Sequence, residues 1–207
     1  MVFFYFYEMI SSAITNKITE VLDHKITKVR PISGGDISMA YVFEANGKSY
    51  FLKTNASDDA YQMFLAESKG LDLIARTETI RTPKVLVTDQ TIDGAFLVME
   101  YIASKQASSK DMANLGEKLA RLHSVKSDHF GLDSNNFIGS LKQLNDRETN
   151  WSKFYVEKRL LPQLQLAIEL DQMTIDEVPG KKILLDVCKD ILGNCTASLL
   201  QGDRWSG

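Results

Sequence analysis

The sequence predicts an α+β protein in two lobes, a small antiparallel sheet with one long helix inserted after its third strand, followed by a helix-rich second half. Three observations carry that expectation. Two pairs of β-rich runs, each joined by a glycine turn, lie before residue 103. Between the pairs runs an amphipathic segment with apolar residues at helical spacing. From Met112 onward the apolar residues repeat at three and four, the period of a helix with one buried face.

In chain order, residues 1–9 (MVFFYFYEM) form an apolar prefix with no positive start and an interrupting Glu8, a poor secretory signal and too short to span a bilayer. We expect Met9 to be the natural first residue, with the prefix a start-site error or a loose appendage. Ile10, Ile14, Ile18, Val21 and Leu22 then fall at helical spacing. Residues 40–45 (AYVFEA) and 49–54 (SYFLKT) flank Asn46-Gly47, which supplies the positive φ angles of a two-residue hairpin turn. A helix is expected from Asp59 to Arg76, opened by Ser57, Asp58 and Asp59 as candidate caps, with Met63, Phe64, Leu71 and Ile74 as its stripe. Residues 84–88 (KVLVT) and 96–102 (FLVMEYI), joined through Asp93-Gly94, read as a second hairpin. After the polar stretch 103–110 come helices around Met112 to Leu122, Trp151 to Leu170 with a bend at Pro162, and Lys181 to Leu192. The expected division is therefore a first lobe at 10–102, a linker at 103–110 and a partial helical lobe at 111–207.

Composition narrows the function. Across 207 residues, 44% are hydrophobic and 25% charged, which is enough apolar material for a packed core. The formal net charge is -3 and the Lys and Arg residues are scattered, so no basic stripe exists for a phosphate backbone, and nucleic acid is not an expected partner. No membrane partner is expected either. Cys188 and Cys195 lie seven apart, roughly 10 Å along a helix, too far for a disulfide, and neither has a His or Cys neighbour at zinc spacing. They read as packing residues in a reducing, cytoplasmic compartment. His24, His123 and His129 sit in no His-Glu-x-x-His pattern, and no Gly-x-Ser-x-Gly occurs. His123, at a helix end, reads as a cap for the last carbonyls.

Glu67 is the most informative residue, because it falls on the apolar side of its helix, three after Phe64 and four before Leu71. A carboxylate facing a core is costly unless paired. Lys53, beside Phe51 and Leu52 at the end of the second hairpin strand, is the natural partner. A strand lysine held by a glutamate on the following helix is how kinases present an amine to the α and β phosphates of ATP. The bland alternative is a Glu at the edge of the stripe with its head in water and a Lys that snorkels. Upstream, Ser33-Gly34-Gly35-Asp36-Ile37-Ser38 offers paired glycines that let backbone amides approach a phosphate. It is not a P-loop, and by itself it reads as a turn into a strand. Met99, Glu100 and Tyr101 end the second hairpin, where in a two-lobed kinase backbone groups would hold the adenine edge; the bland alternative is an ordinary strand end. Near the end, Gly202-Asp203 follows a short apolar run; Gly-Asp is a common turn, and the alternative is that the Asp203 carboxylate, in a polar loop, accepts a proton from an attacking hydroxyl.

In this order the motifs resemble the fructosamine kinase (ketosamine kinase) family, a branch of the aminoglycoside phosphotransferase and protein-kinase-like fold. The resemblance runs from about residue 31 to the end. It is carried by SGGDIS at 33–38, SYFLKTN at 49–55, FLAESKGL at 64–71, IRTP at 80–83, FLVMEY at 96–101, LGEKLARLH at 115–123, FGL at 130–132, NNFIGS at 135–140, the segment 151–164, and 199–207. NNFIGS and the Trp-x-x-Phe-Tyr-x-Glu-x-Arg-Leu segment are more particular to this family than to kinases at large. The resemblance implies phosphorylation by ATP, with Mg2+, of a sugar hydroxyl on a small-molecule or protein-bound ketosamine. It makes Lys53 and Glu67 the nucleotide-binding pair, Gly34, Gly35, Asp36, Ile37 and Ser38 part of the phosphate-side loop, Met99, Glu100 and Tyr101 the adenine segment, and Asp203 the catalytic acceptor.

Two departures qualify it. In the family pattern His-Gly-Asp-Leu-Trp-Ser-Gly-Asn, Gln201 here replaces the His and Arg204 the Leu. The chain also stops one residue before the family's Asn, so the expected metal ligands, that Asn and the Asp of an Asp-Pro motif, lie beyond Gly207. The expectation is no turnover at a useful rate by the 207-residue chain, and an uncovered apolar surface on its second lobe that invites self-association. Two other readings stay open: a non-catalytic nucleotide-binding module, and a phosphotransferase for another small alcohol such as an aminoglycoside or choline.

Overall fold

The structure is a computed structural model that describes residues 10–32 and 37–201. The chain divides into two compact units, residues 1–116 and 117–207.

The first unit begins with α1 (Ser12–Leu22), where the Ser11 side chain accepts from the Ile14 amide at 3.2 Å and Asp23 ends the helix in the left-handed region, φ 54°. Five strands follow: β1 (Thr27–Ile32), β2 (Met39–Ala45), β3 (Lys48–Asn55), β4 (Val85–Thr91) and β5 (Gly94–Glu100), with α2 (Ala60–Ala75) inserted after β3. They form one antiparallel sheet in the order β1-β2-β3-β5-β4. Asn46 and Gly47 have φ 49° and 69°, the geometry a two-residue β2–β3 turn demands. At the β4–β5 turn the loop residues are Ile92 and Asp93, since Thr91 pairs with Gly94. Gly94 is required for another reason: its φ is 127°, and a Cβ there would stand 2.6 Å from the Asn55 carbonyl oxygen.

Strand alternation splits the apolar residues between two faces. On one, Tyr41, Phe43, Leu52, Phe96 and Val98 pack with Ile14 and Ile18 of α1. On the other, Ala95, Leu97 and Met99 pack with Ala60 and Phe64 of α2. Fully buried Phe and Leu side chains of this kind contribute about 1.5–3 kcal/mol each. β1, a strand that no sequence run located, is an exposed edge bearing Pro31, with a register shift between Thr27 and Arg30.

The division between units falls within α3 (Ser109–His123), whose start is closed reciprocally: Ser108 Oγ accepts from the Asp111 amide and an Asp111 carboxylate oxygen accepts from the Ser108 amide. His123 does not cap the other end through Nε2, which is buried without a partner among the described residues. Ser124 Oγ donates to the Ala120 carbonyl instead, at 2.8 Å. NNFIGS forms most of a tight hairpin, β6 (Asn136–Ile138) and β7 (Leu141–Gln143). Next come α4 (Trp151–Tyr155), a π-helical turn (Val156–Leu160) and α5 (Leu161–Glu169). The irregularity expected at Pro162 thus lies in the turn before it. Pro162 has no N–H for the carbonyl of Lys158, and the Arg159 guanidinium takes that carbonyl at 2.8 Å. Trp151 and Phe154 stack and Phe130 lies tilted against both, with ring centroids 5.0–6.3 Å apart. α6 (Lys181–Leu192) buries Cys188, whose carbonyl accepts from Ser152 Oγ, and exposes Ile183, Val187 and Ile191.

Six carboxylates of this unit titrate below the usual carboxylate range. The causes are the His129 ring at Asp128, Arg147 at Asp133, Lys158 at Asp146, Lys153 at Glu148, Lys181 at Glu157 and the Thr174 amide at Glu177. A folded-state pKa below the unfolded one contributes stability that is present above about pH 4 and is lost as pH falls through the depressed values. The melting temperature followed by tryptophan fluorescence should therefore fall between pH 5 and pH 2, and less so in high salt, where these exposed pairs are already weakened. A melt independent of pH over that range would contradict the assignment.

Candidate functional site

In β3 the period of two puts Phe51, Lys53 and Asn55 on the sheet face that carries α2, with Lys53 paired between Ala40 and Leu97. On α2, Glu67 lies one turn beyond the buried Phe64. The two meet: Lys53 Nζ donates to Glu67 Oε2 at 2.6 Å, with side chains 25% and 34% exposed, and Nζ stands 6.0 Å from the Phe64 ring. The snorkelling alternative is not the arrangement found. A half-exposed pair of this kind is worth about 1 kcal/mol or less, so the pair does not hold α2 to the sheet. The apolar contacts of Phe64 and Ala60 do that. What the carboxylate achieves is to fix the amine in one place, with further N–H donors for an anion.

Only the end of the glycine loop can be placed beside β3. Ser33, Gly34, Gly35 and Asp36 lie outside the described residues. Ile37 and Ser38 at its end are held by Asn55, whose Nδ2 donates to the Ile37 carbonyl at 3.1 Å and to Ser38 Oγ at 3.3 Å, while its Oδ1 accepts from the Ser57 amide at 2.8 Å. Sequence reasoning assigned Asn55 no role. The signal was available, since a short amide two residues after Lys53 must share its face.

Met99 is buried in the α2-side cluster on the same face as Lys53, and β5 ends at Glu100. The Glu100 carboxylate accepts from Arg81 and from the Lys84 amide, the latter at 3.4 Å. The Tyr101 hydroxyl accepts from Arg30 at 3.2 Å, with the guanidinium 5.8 Å from the ring centroid. These side chains are thus engaged by two arginines, which the sequence reading also missed.

Asp203 lies outside the described residues. In the second unit the run before it pairs with the chain after α3: Leu199 N donates to the Val125 carbonyl and Ser127 N to the Ala197 carbonyl, both at 3.0 Å. Cys188 and Cys195 are both free thiols. Among the described residues no group of three His, Cys, Asp or Glu side chains stands together to hold a metal ion. No described helix is long and apolar enough to cross a membrane.

Comparison with known proteins adds lineage to this geometry. The model of the fructosamine kinase family matches residues 9–207. A Vibrio parahaemolyticus protein named "Probable ketoamine kinase" is 33% identical over 201 residues, covering 94% of this chain and 68% of its own. The chloroplastic protein-ribulosamine 3-kinase of Arabidopsis thaliana is 35% identical over 196 residues, covering 92% of this chain and 59% of its own. A crystal structure from Thermobifida fusca, provisionally named a fructosamine-3-kinase, superposes with a TM-score of 0.77 at 25% identity, over 93% of this chain and 67% of that one. The chain therefore spans between 59% and 68% of the length of these relatives.

If Lys53 and Glu67 couple as the geometry indicates, a double-mutant cycle with Lys53→Met and Glu67→Gln in urea unfolding should give an interaction energy of about 0.5–1 kcal/mol. A coupling indistinguishable from zero would mean that the pair does not persist in solution.

Proposed function

This chain belongs to the fructosamine kinase family, and from that premise we propose that it is built for ATP-dependent phosphorylation of a sugar hydroxyl on a ketosamine, the adduct of an amine with a reducing sugar. The observation that carries the reading is the 2.6 Å contact between Lys53 and Glu67, in a chain whose relatives are named as ketoamine and ribulosamine kinases.

In this reading Lys53, oriented by Glu67, holds the α and β phosphates, and backbone amides of the loop 33–38, whose residues Ile37 and Ser38 are held by Asn55, meet the phosphates. Backbone groups of Met99 to Tyr101 take the adenine edge. The substrate hydroxyl oxygen forms a bond to the γ-phosphorus as the bond to the β–γ bridging oxygen breaks. ADP leaves, and the proton of the hydroxyl passes to the Asp203 carboxylate. A bound Mg2+ would supply positive charge to the phosphates in this chemistry. Among the described residues no cluster of His, Cys, Asp or Glu fits it. The free thiols of Cys188 and Cys195 suit a reducing compartment, which supports a cytoplasmic location.

The nucleotide half is tested on the 207-residue chain itself. A fluorescent ATP analogue should bind, and Lys53→Met should weaken it about tenfold or more, the loss expected on removing a charge-assisted phosphate contact. Equal affinity of the variant would remove Lys53 from the site.

The transfer half is tested by fusing residues 1–207 to the part of the Vibrio parahaemolyticus relative that follows the matched region. Phosphorus NMR should show a new sugar phosphate from ATP and fructosyl-lysine, abolished by Asp203→Asn. Product formation that survives this substitution would refute Asp203 as the acceptor.

A further inference from the structure

Between α2 and β4 the chain passes through Ile80-Arg81-Thr82-Pro83, a motif to which the kinase reading gives no role. In the structure it fastens two elements at once. Thr82 Oγ1 donates to the Leu71 carbonyl of α2 at 3.4 Å, and the neighbouring Arg81 guanidinium donates to Glu100 Oε1 at the end of β5. The other carboxylate oxygen of Glu100 accepts from the Lys84 amide at 3.4 Å, and the Glu100 amide donates to the Lys84 carbonyl at 2.8 Å. Glu100 is therefore held through both oxygens and through its backbone.

Tyr101 is held from the other side of the sheet. Its hydroxyl accepts from Arg30 Nη2 on β1 at 3.2 Å, and that guanidinium lies 5.8 Å from the ring centroid. β1 and β4 are the outermost strands, so Arg30 on β1 and Arg81 just before β4 brace two consecutive residues from opposite edges. The place matters, because β5 ends at Glu100 and residues 101–108 belong to no helix or strand, which leaves side chains to fix the course of the chain there. As stabilisers of the fold the braces are weak. Arg81 is 66% and Glu100 39% exposed, and ion pairs so open to water contribute little to stability. Their effect is local, on the orientation of residues 100 and 101.

We infer that Arg30 and Arg81 are positioning residues for the purine base, which preorganise the backbone N–H and C=O groups of Met99 to Tyr101 through the side chains of Glu100 and Tyr101. The inference rests on the kinase reading, in which those backbone groups take the adenine edge. Without the braces the segment has to be ordered at the moment of binding. That cost falls on the base and spares the phosphates, which Lys53 on β3 holds.

The test measures displacement of a fluorescent ATP analogue from the 207-residue chain by two competitors, adenosine and inorganic tripolyphosphate. Arg30→Gln and Arg81→Gln should each weaken adenosine about two- to fivefold, the range of a single exposed contact, and leave tripolyphosphate unchanged. Arg81→Lys, which keeps a charged donor for Glu100, should recover part of the loss. In a Glu100→Gln background Arg81→Gln should cost little more, since both act through one contact. Should an arginine variant fail to fold, Glu100→Gln alone decides the point by the same split between the competitors. Equal losses for both competitors would mean a general loosening of the fold and would overturn the proposal. Adenosine that displaces the analogue equally well from the unaltered chain and the variants would also sink it, and would leave the kinase reading standing. Adenosine that displaces nothing from the unaltered chain would remove the adenine half of that reading and this proposal with it.

Discussion

The contact of α2 with the sheet is the constraint on which the candidate site rests. Phe64, 1% exposed, and Ala60 pack on Ala95, Leu97 and Met99, and that apolar burial fixes the helix against the strands. Only then can Glu67, one turn along, meet Lys53 on β3. The energies differ in the right sense. Burying a phenylalanine contributes about 1.5–3 kcal/mol, whereas a half-exposed ion pair contributes about 1 or less. Packing therefore sets the geometry, and the pair forms within it.

The same division of labour recurs around the sheet's ends. Asn55 holds the described end of the glycine loop through two hydrogen bonds, and Arg81 and Arg30 engage Glu100 and Tyr101 from separate elements. In the second unit, Pro162 removes a helical hydrogen bond and the Arg159 guanidinium meets the freed carbonyl, which also carries it to Asn145 and the hairpin seam. One backbone defect and one long side chain thereby join a helix to the segment that begins with NNFIGS.

Much of the fold was legible because its signals are local. Asn46-Gly47 needs only its own φ preferences to make a hairpin, and the spacing of Phe64, Glu67 and Leu71 fixes which residues share a helix face. Where the sequence was silent, local signals were weak. β1 is an exposed edge interrupted by Pro31, and β6 and β7 span three residues each, too short for a period of two to register. The glycine of Asp93-Gly94 was read as a turn residue. Its requirement comes from Asn55, a neighbour thirty-nine positions away in sequence.

The sequence by itself determined the two long hairpins and the main helices in their order, the faces on which Lys53 and Glu67 lie, and through its motifs the family. Tertiary structure alone decided the partners. Arg159 reaches Asn145 fourteen residues back, Arg81 reaches Glu100 nineteen ahead, and Asn55 reaches Ile37 eighteen back. The physical reason is that periodicity and turn chemistry act over a few residues, whereas a hydrogen bond between distant side chains exists only once packing has brought their elements within about 3 Å of each other.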